Sequence, residues 1–238
     1  MKEISITISF MFLTGLLSMN VTGNPIRSIL SVKESSFSST AEPSKSAIVE
    51  YLESTGTQWI DSEIIGQSPL RVSLGFKASE IGGDKTIIGT GGGSDRLYFG
   101  MNGNRWFFGY SSYTYGTSAD TQYHDFTIVW KPNGAFLEID GNENIRIQSS
   151  RIVKYSKTIG ILTRNIGGSL NYCVKGRLYY CKIYNEIDQM ILDLVPIRFQ
   201  NEDGEQEGAM YDQLSGKVFR NVGTGKFLYG KDVSQLDI

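Results

Sequence analysis

Short stretches in which apolar and polar residues alternate recur along the chain from Ile48 onward. In "LRVSLGFKA", Val72 and Phe76 fall on one face, as do Phe126 and Trp130 in "HDFTIVWK". A period of two is the pattern of a half-buried β-strand. Turn signals such as "GGGSD", "NGN" and "PNG" separate these stretches, and the chain shows no amphipathic helical run of ten or more residues. About a dozen short strands joined by turns predict an all-β sandwich or barrel.

The N-terminal part of the chain has a different pattern. Residues 1–23 combine Lys2, the apolar run "ISITISFMFLTGLLSM" and the small residues "VTG" ending at Gly23, which is typical of a signal peptide. The apolar run is shorter than the ~20 residues of a stable membrane span. Residues 24–47 are rich in Ser and charge, which predicts a flexible linker. We expect one domain at residues 48–238, secreted, periplasmic or on the cell surface, with no stable membrane span after signal cleavage.

The composition of the chain limits the partners that it is expected to bind. The net charge of −2 over 238 residues does not favour nucleic acid or an anionic membrane as a partner. The 27 glycines, 13 tyrosines and 12 phenylalanines, against 5 prolines, agree with many strands and tight turns. The two cysteines, Cys173 and Cys181, could form a disulfide only if the chain turned at "VKG" between them. We expect buried free thiols, because free Cys is among the most buried residue types.

The stretch "FLEIDGNENIRI" raises the question of catalysis. Glu138, Asp140 and Glu143 have the spacing E-x-D-x-x-E, which resembles the acidic pattern of laminarinase-type glycosidases. A catalytic strand would have to continue through the third carboxylate. Asp140-Gly141 is instead a strong two-residue hairpin turn, because both residues tolerate positive φ. The sequence therefore predicts a hairpin, and no catalytic residue is assigned.

Several phrases resemble one superfamily. "YHDFTIVWKPNGAFLEIDGNENIRI" and "KGRLYYCKIYN" are similar to strands of laminin-G-like and concanavalin A-like jelly rolls. "VEYLESTGTQWID" and "AMYDQLSGKVFRNVGTGKF" resemble a subgroup of these domains found in gut-bacterial surface proteins and phage structural proteins. The resemblance spans roughly Ile48 to Tyr229. It implies a two-sheet antiparallel β-sandwich in which "DG" is a turn, and a role in binding.

Other signs of chemistry are weak. His124 is the sole histidine, and no G-x-S-x-G motif accompanies it, so we expect it to be structural. Domains of the type that the chain resembles often bind Ca²⁺ through loop oxygens. Asp95, Asp120, Asn102 and Asn104 could supply such oxygens, but they lack the spacing of an EF-hand and are interpreted as turn residues. No metal site and no cofactor are therefore assigned, with Ca²⁺ left open.

The segment "RWFFGYSSYTYGTSADTQY" carries the candidate ligand-binding residues Tyr110, Tyr113 and Tyr115. Tyrosine rings suit stacking on sugars or packing on a protein partner. Trp106 and Phe108 are assigned to the core, as is Trp59 in "TQWID". The leading hypothesis is a non-catalytic binding module for carbohydrate or a cell-surface glycan. The alternatives are a structural or adhesive protein-interaction module without a sugar site, and, third, a glycoside hydrolase.

Overall fold

The computed structural model describes residues 46–167 and 172–236, and the regular elements in these two ranges are all β-strands. The predicted signal peptide and all of the predicted linker before Ser46 lie outside the described residues. No helix in the described ranges is long and apolar enough to cross a membrane. The first described strand begins at Ser46, two residues before the start expected from the alternation pattern.

The described strands fall in the following places. They are β1 (Ser46–Val49), β2 (Leu52–Thr55), β3 (Ile60–Gln67), β4 (Leu70–Ala78), β5 (Asp84–Gly92), β6 (Asp95–Asn102), β7 (Arg105–Tyr110), β8 (Ser112–Ser118), β9 (Tyr123–Trp130), β10 (Ala135–Ile139), β11 (Asn142–Ile147), β12 (Lys154–Ile161), β13 (Lys175–Tyr184), β14 (Met190–Gln200), β15 (Gln206–Asp212), β16 (Val218–Phe219), β17 (Leu228–Tyr229) and β18 (Asp232–Gln235).

The strands form two antiparallel sheets. The larger sheet has the order β11-β10-β9-β4-β13-β14-β1-β18, with β2, β15, β16 and β17 attached beside it. The smaller sheet has the order β3-β12-β5-β6-β7-β8. Neighbours such as β4 and β13 are far apart in sequence, which is the connectivity of a sandwich rather than of a simple meander. The predicted all-β, two-sheet fold is confirmed.

The core lies between the sheets and is rich in aromatic rings. Phe99 and Phe108 of the smaller sheet face Phe126 and Trp130 of the larger one. The ring centroids of Phe99 and Phe126 are 4.8 Å apart, and those of Phe108 and Trp130 are 6.4 Å apart with nearly parallel planes. Truncating one such buried aromatic side chain typically costs about 3–5 kcal/mol. The core positions predicted for Trp59, Trp106 and Phe108 are confirmed.

The outermost strands β8 and β11 of the two sheets are joined by one side chain. The Asn144 amide donates to Thr117 Oγ1 at 2.8 Å, and its Oδ1 accepts the Thr117 backbone N–H at 3.2 Å. Gly116 makes room for this contact, because a Cβ there would lie 2.0 Å from Asn144 Oδ1. The bridge fixes β8 at one side of the sandwich, and β8 carries two of the candidate ligand-binding tyrosines.

Candidate functional site

Strand β7 has two faces with different roles. Trp106, Phe108 and Tyr110 point into the core, whereas Phe107 and Gly109 lie on the outer face of the smaller sheet. This division follows directly from the period of two in "RWFFGY". The outer face is therefore where an aromatic binding surface can form.

The register between β7 and β8 places the two exposed tyrosines. Tyr115 lies opposite Phe107, and Tyr113 lies opposite Gly109. The two tyrosine ring centroids are 5.3 Å (Tyr113) and 5.2 Å (Tyr115) from that of Phe107. Tyr113 is 53% exposed and Tyr115 is 41% exposed, so both keep open surface on the same face, as their i, i+2 spacing predicts.

The two rings do not form a flat track. Their centroids are 6.2 Å apart and their planes meet at 85°. One ring therefore presents its edge toward the face of the other, and together with Phe107 they form a corner. We call Tyr113, Tyr115 and Phe107 the aromatic corner. This shape suits one sugar ring or one apolar side chain held in the angle, rather than successive sugar units stacked on coplanar rings.

A second aromatic layer supports the corner. The buried Tyr98 ring stacks on Phe107 with centroids 5.3 Å apart and planes 28° apart. Gly109 is required beside it, because a Cβ at that position would lie 2.9 Å from the Tyr98 ring. Burial raises the pKa of Tyr98, although the nearby arginines oppose the shift, so its phenol is neutral. The Tyr98 ring thus supports Phe107 on the side opposite the two tyrosines of β8.

Arginines surround these rings. The Arg96 guanidinium lies 5.0 Å from the Tyr113 ring centroid, and that of Arg105 lies 5.6 Å from the Tyr115 centroid. Arg105 is anchored by donating to the Gly116 carbonyl oxygen at 2.9 and 2.7 Å. The surface is therefore aromatic and positively charged, and it can combine ring stacking with hydrogen bonds to ligand oxygens.

The assignment of Tyr110 to the ligand site is corrected by the structure. Its side chain is fully buried. Its hydroxyl donates to the Arg151 carbonyl oxygen at 2.6 Å and lies 3.3 Å from the Ser68 hydroxyl. Tyr110 falls on the inner face of β7 because it has the same parity as Trp106 and Phe108. It stabilises the core and cannot contact a ligand at the aromatic corner.

The acidic stretch is a hairpin, as the sequence predicts. Strands β10 and β11 pair in antiparallel fashion around Asp140 and Gly141, which have φ values of 51° and 76°. The Asp140 carboxylate has both oxygens engaged, one 2.6 Å from His124 Nδ1 and the other accepting the Asp125 N–H at 2.9 Å. Glu143 lies on the returning strand and pairs with Arg146 at 2.8 Å. Asp140 and Glu143 are thus both engaged in hydrogen bonds or ion pairs with neighbouring residues.

His124 joins the hairpin to the loop before β9. Its Nδ1 lies 2.6 Å from Asp140, and its Nε2 lies 3.0 Å from Asp120. Burial lowers the pKa of His124, but the hydrogen bonds to the two carboxylates outweigh it, so the pKa lies above its ordinary value. Burial raises the pKa of each carboxyl group, but hydrogen bonds outweigh it: the Gln122 N–H and His124 lower the pKa of Asp120, and His124 and the Asp125 N–H lower that of Asp140. We call this arrangement the His124 clamp.

Three further residues, Asp95, Asn102 and Asn104, were considered as oxygen donors for Ca²⁺. Asp95 pairs with Arg151 at 2.5 Å, and Asn102 and Asn104 flank the β6–β7 turn. Within residues 46–167 and 172–236, no group of three or more His, Cys, Asp or Glu side chains is placed to hold a metal ion.

The prediction of buried free thiols is confirmed for both cysteines. Burial raises the pKa of Cys181 to about 12 and also raises that of Cys173.

The site also contains Tyr98, Phe107, Arg96 and Arg105, which are not among the candidate residues predicted from the sequence. Tyr98 and Phe107 are buried, but their side chains lie on the outer face of the smaller sheet. Arg96 lies beside the Tyr113 ring and Arg105 beside the Tyr115 ring. The alternation in "RLYFGM" and "RWFFGY" contains the signal, because in each stretch one aromatic residue is out of phase with its neighbours.

No protein-family model matches this chain, and no curated protein sequence matches it significantly. Among solved structures, the chain is similar to a candidate carbohydrate-binding protein from Bacteroides ovatus ATCC 8483, with a TM-score of 0.52 and 11% sequence identity. That match covers 80% of this chain but 62% of the other, so this chain spans less than two thirds of that protein's length. Domains LG4-5 of the mouse laminin alpha1 chain match with a TM-score of 0.44 and 9% identity, covering 81% of each chain.

Proposed function

Starting from a sandwich of the laminin-G-like, concanavalin A-like jelly-roll type, we propose that this protein is a non-catalytic binding module that recognises carbohydrate. The observation that carries the proposal is the aromatic corner. Two half-exposed tyrosines stand on a buried aromatic layer, with an arginine beside each ring. Fold alone does not define function, so the proposal depends on these residues.

The chemistry of the corner fits a saccharide. The C–H face of a sugar ring can stack on one tyrosine while the second tyrosine closes the side, and arginine N–H groups can donate to ring hydroxyls. The solved structure from Bacteroides ovatus is described as a candidate carbohydrate-binding protein, which supports a role of the same kind. The proposed partner is a glycan or a surface protein.

The hairpin argues against the glycoside hydrolase hypothesis. A retaining mechanism needs two free carboxyl groups about 5–5.5 Å apart on either side of one bond. Asp140 is engaged through both of its oxygens, and Glu143 is ion-paired on the returning strand. We therefore expect Glu138→Gln and Glu143→Gln to leave the fold and any hydrolysis rate unchanged. A specific loss of glycan cleavage in Glu138→Gln would contradict the non-catalytic role.

We also propose that the protein acts outside the cytoplasm, because residues 1–23 have the pattern of a signal peptide. Intact-mass measurement of the protein recovered from the producing cells tests this. The expected product lacks the residues up to about Gly23. A product that still begins at Met1 would contradict export by signal cleavage.

A glycan array probed with the purified protein tests the main proposal against a structural or adhesive module. Binding to a defined group of glycans, reduced for the Tyr113→Ala/Tyr115→Ala protein, is the expected result. Binding to none of the glycans, or binding that the double change leaves intact, would contradict carbohydrate recognition at the corner.

A further inference from the structure

A polar crevice lies on the outer face of the larger sheet, away from the aromatic corner. It has a volume of about 350 Å³. Its walls come from the end of β4, the loop before β9 and strand β13. The lining residues are Lys77, Ala78, Ser79, Thr121, Gln122 and Arg177. Its size is within the range of small-molecule sites, which starts at about 300 Å³.

The charges along this crevice do not balance. The strand registers place Lys77 opposite Arg177, and Arg177 opposite Glu53. Arg177 donates to Glu53 at 2.9 Å and lies 4.3 Å from the Tyr51 ring centroid. Lys77 is half-buried and forms no ion pair within the described part of the chain. Like charges directly opposite each other in a sheet are destabilising. Lys77 and Arg177 are positive and Glu53 is negative, so these three neighbouring positions carry one positive charge that an anion would compensate.

The nearby acids are each engaged elsewhere. Glu80, which follows Ser79, pairs with Lys175 at 3.1 Å. Asp120 pairs with His124 at 3.0 Å as part of the His124 clamp. Asp125 accepts the Tyr123 and Tyr180 hydroxyls at 2.6 and 2.8 Å. In the described residues 46–167 and 172–236, none of these carboxylates forms an ion pair with Lys77.

An aromatic ring stands beside the crevice. Tyr123 is the register partner of Lys77 on β9 and is 41% exposed. Its ring meets that of Tyr179 edge to face at 4.8 Å, and its hydroxyl is held by Asp125. A sugar ring can stack on a fixed aromatic ring and form hydrogen bonds with neutral polar side chains such as Thr121 and Gln122. An acidic peptide would need only the cations Lys77 and Arg177.

We propose that this crevice binds the carboxylate of an acidic monosaccharide unit, with Lys77 pairing the carboxylate, Arg177 giving a second cation and Tyr123 supporting the sugar ring. Thr121 and Gln122 supply hydrogen bonds to ring hydroxyls. The site is separate from the aromatic corner and does not depend on it.

An NMR titration of the purified protein with glucuronate, glucose and acetate tests the proposal. We expect glucuronate to shift the amide signals of Lys77, Ser79 and Gln122 in a saturable way, with glucose and acetate binding at least about tenfold more weakly. Equal binding of acetate would show that the crevice recognises charge alone. Equal binding of glucose would show that the cations do not contribute. Either result, or no saturable shift with glucuronate, would overturn the proposal.

Three variants locate the effect. Lys77→Met should weaken glucuronate binding at least about tenfold, whereas Lys77→Arg, which keeps the charge, should retain it. Lys154→Met, an exposed lysine on the smaller sheet, is the matched control and should bind normally. The Tyr113→Ala/Tyr115→Ala protein should also bind glucuronate normally, so failure at the corner and failure at the crevice remain distinguishable. Unchanged binding by a folded Lys77→Met protein would refute the role of Lys77.

Discussion

Replacing Gly141 by valine tests the turn of the hairpin formed by β10 and β11. Gly141 has a φ of 76°, and a Cβ built there meets no atom within 4 Å. A Cβ at this position therefore contacts no neighbouring residue, and the expected cost of the substitution lies in the backbone conformation. A left-handed conformation costs an L-residue roughly 1–2 kcal/mol, and a β-branched side chain lies at the upper end. We expect Gly141→Val to lower the free energy of unfolding by about 2 kcal/mol.

Urea denaturation followed by tryptophan fluorescence measures this change, and a thermal melt should show a drop of about 4–8 °C for a chain of this size. Gly141→Asn should cost much less, because Asn tolerates positive φ. Gly92→Val is the matched control, since Gly92 also has open space around its Cβ but no positive φ. If Gly141→Val were no more destabilising than Gly92→Val, the turn would not depend on the positive φ at Gly141.

Two further predictions concern buried and titrating groups. Tyr110→Phe removes the bond to the Arg151 carbonyl and should lower the free energy of unfolding by about 1–2 kcal/mol, measured in urea; an unchanged value would mean that this bond adds nothing. His124→Gln should cost about 1 kcal/mol near pH 5, because Asp120 and Asp140 are half exposed. The His124 imidazolium stabilises the folded state fully below about pH 6.5, and this stabilisation is lost as the pH rises through its raised pKa. The Asp120 and Asp140 carboxylates stabilise the folded state above about pH 3.8. Their stabilisation is lost as the pH falls through their lowered pKa values. Urea titrations from pH 3 to pH 9 should therefore show the largest difference from the unsubstituted protein at about pH 4–6, and a difference that is flat with pH would contradict the clamp.

The sequence predicted the features that depend on neighbouring residues. The Asp140-Gly141 turn follows from local turn chemistry, and the shared side of Tyr113 and Tyr115 follows from their i, i+2 spacing. The same reasoning could have placed Tyr110 correctly, because it has the parity of Phe108, which the sequence analysis assigned to the core.

Features that depend on distant strands were not predictable from one sequence. The 85° angle between the tyrosine rings depends on how Phe107 and Tyr98 pack beneath them. The crevice depends on the pairing of β4 with β13, more than 90 residues away in the chain (Lys77 opposite Arg177). Alternation shows which face a residue takes, but it does not show which strand lies alongside.

We propose above all that the aromatic corner binds carbohydrate. Calorimetric titration of the tightest array glycan into the unsubstituted protein, Tyr113→Ala/Tyr115→Ala and the control Tyr155→Ala tests it most directly. Because both rings of the corner are half exposed, we expect the double change to lower stability by about 1–2 kcal/mol, less than the 3–5 kcal/mol of a core aromatic truncation. If the corner binds carbohydrate, we expect at least about tenfold weaker binding for the folded double variant and normal binding for Tyr155→Ala. Unchanged affinity in the double variant would contradict it.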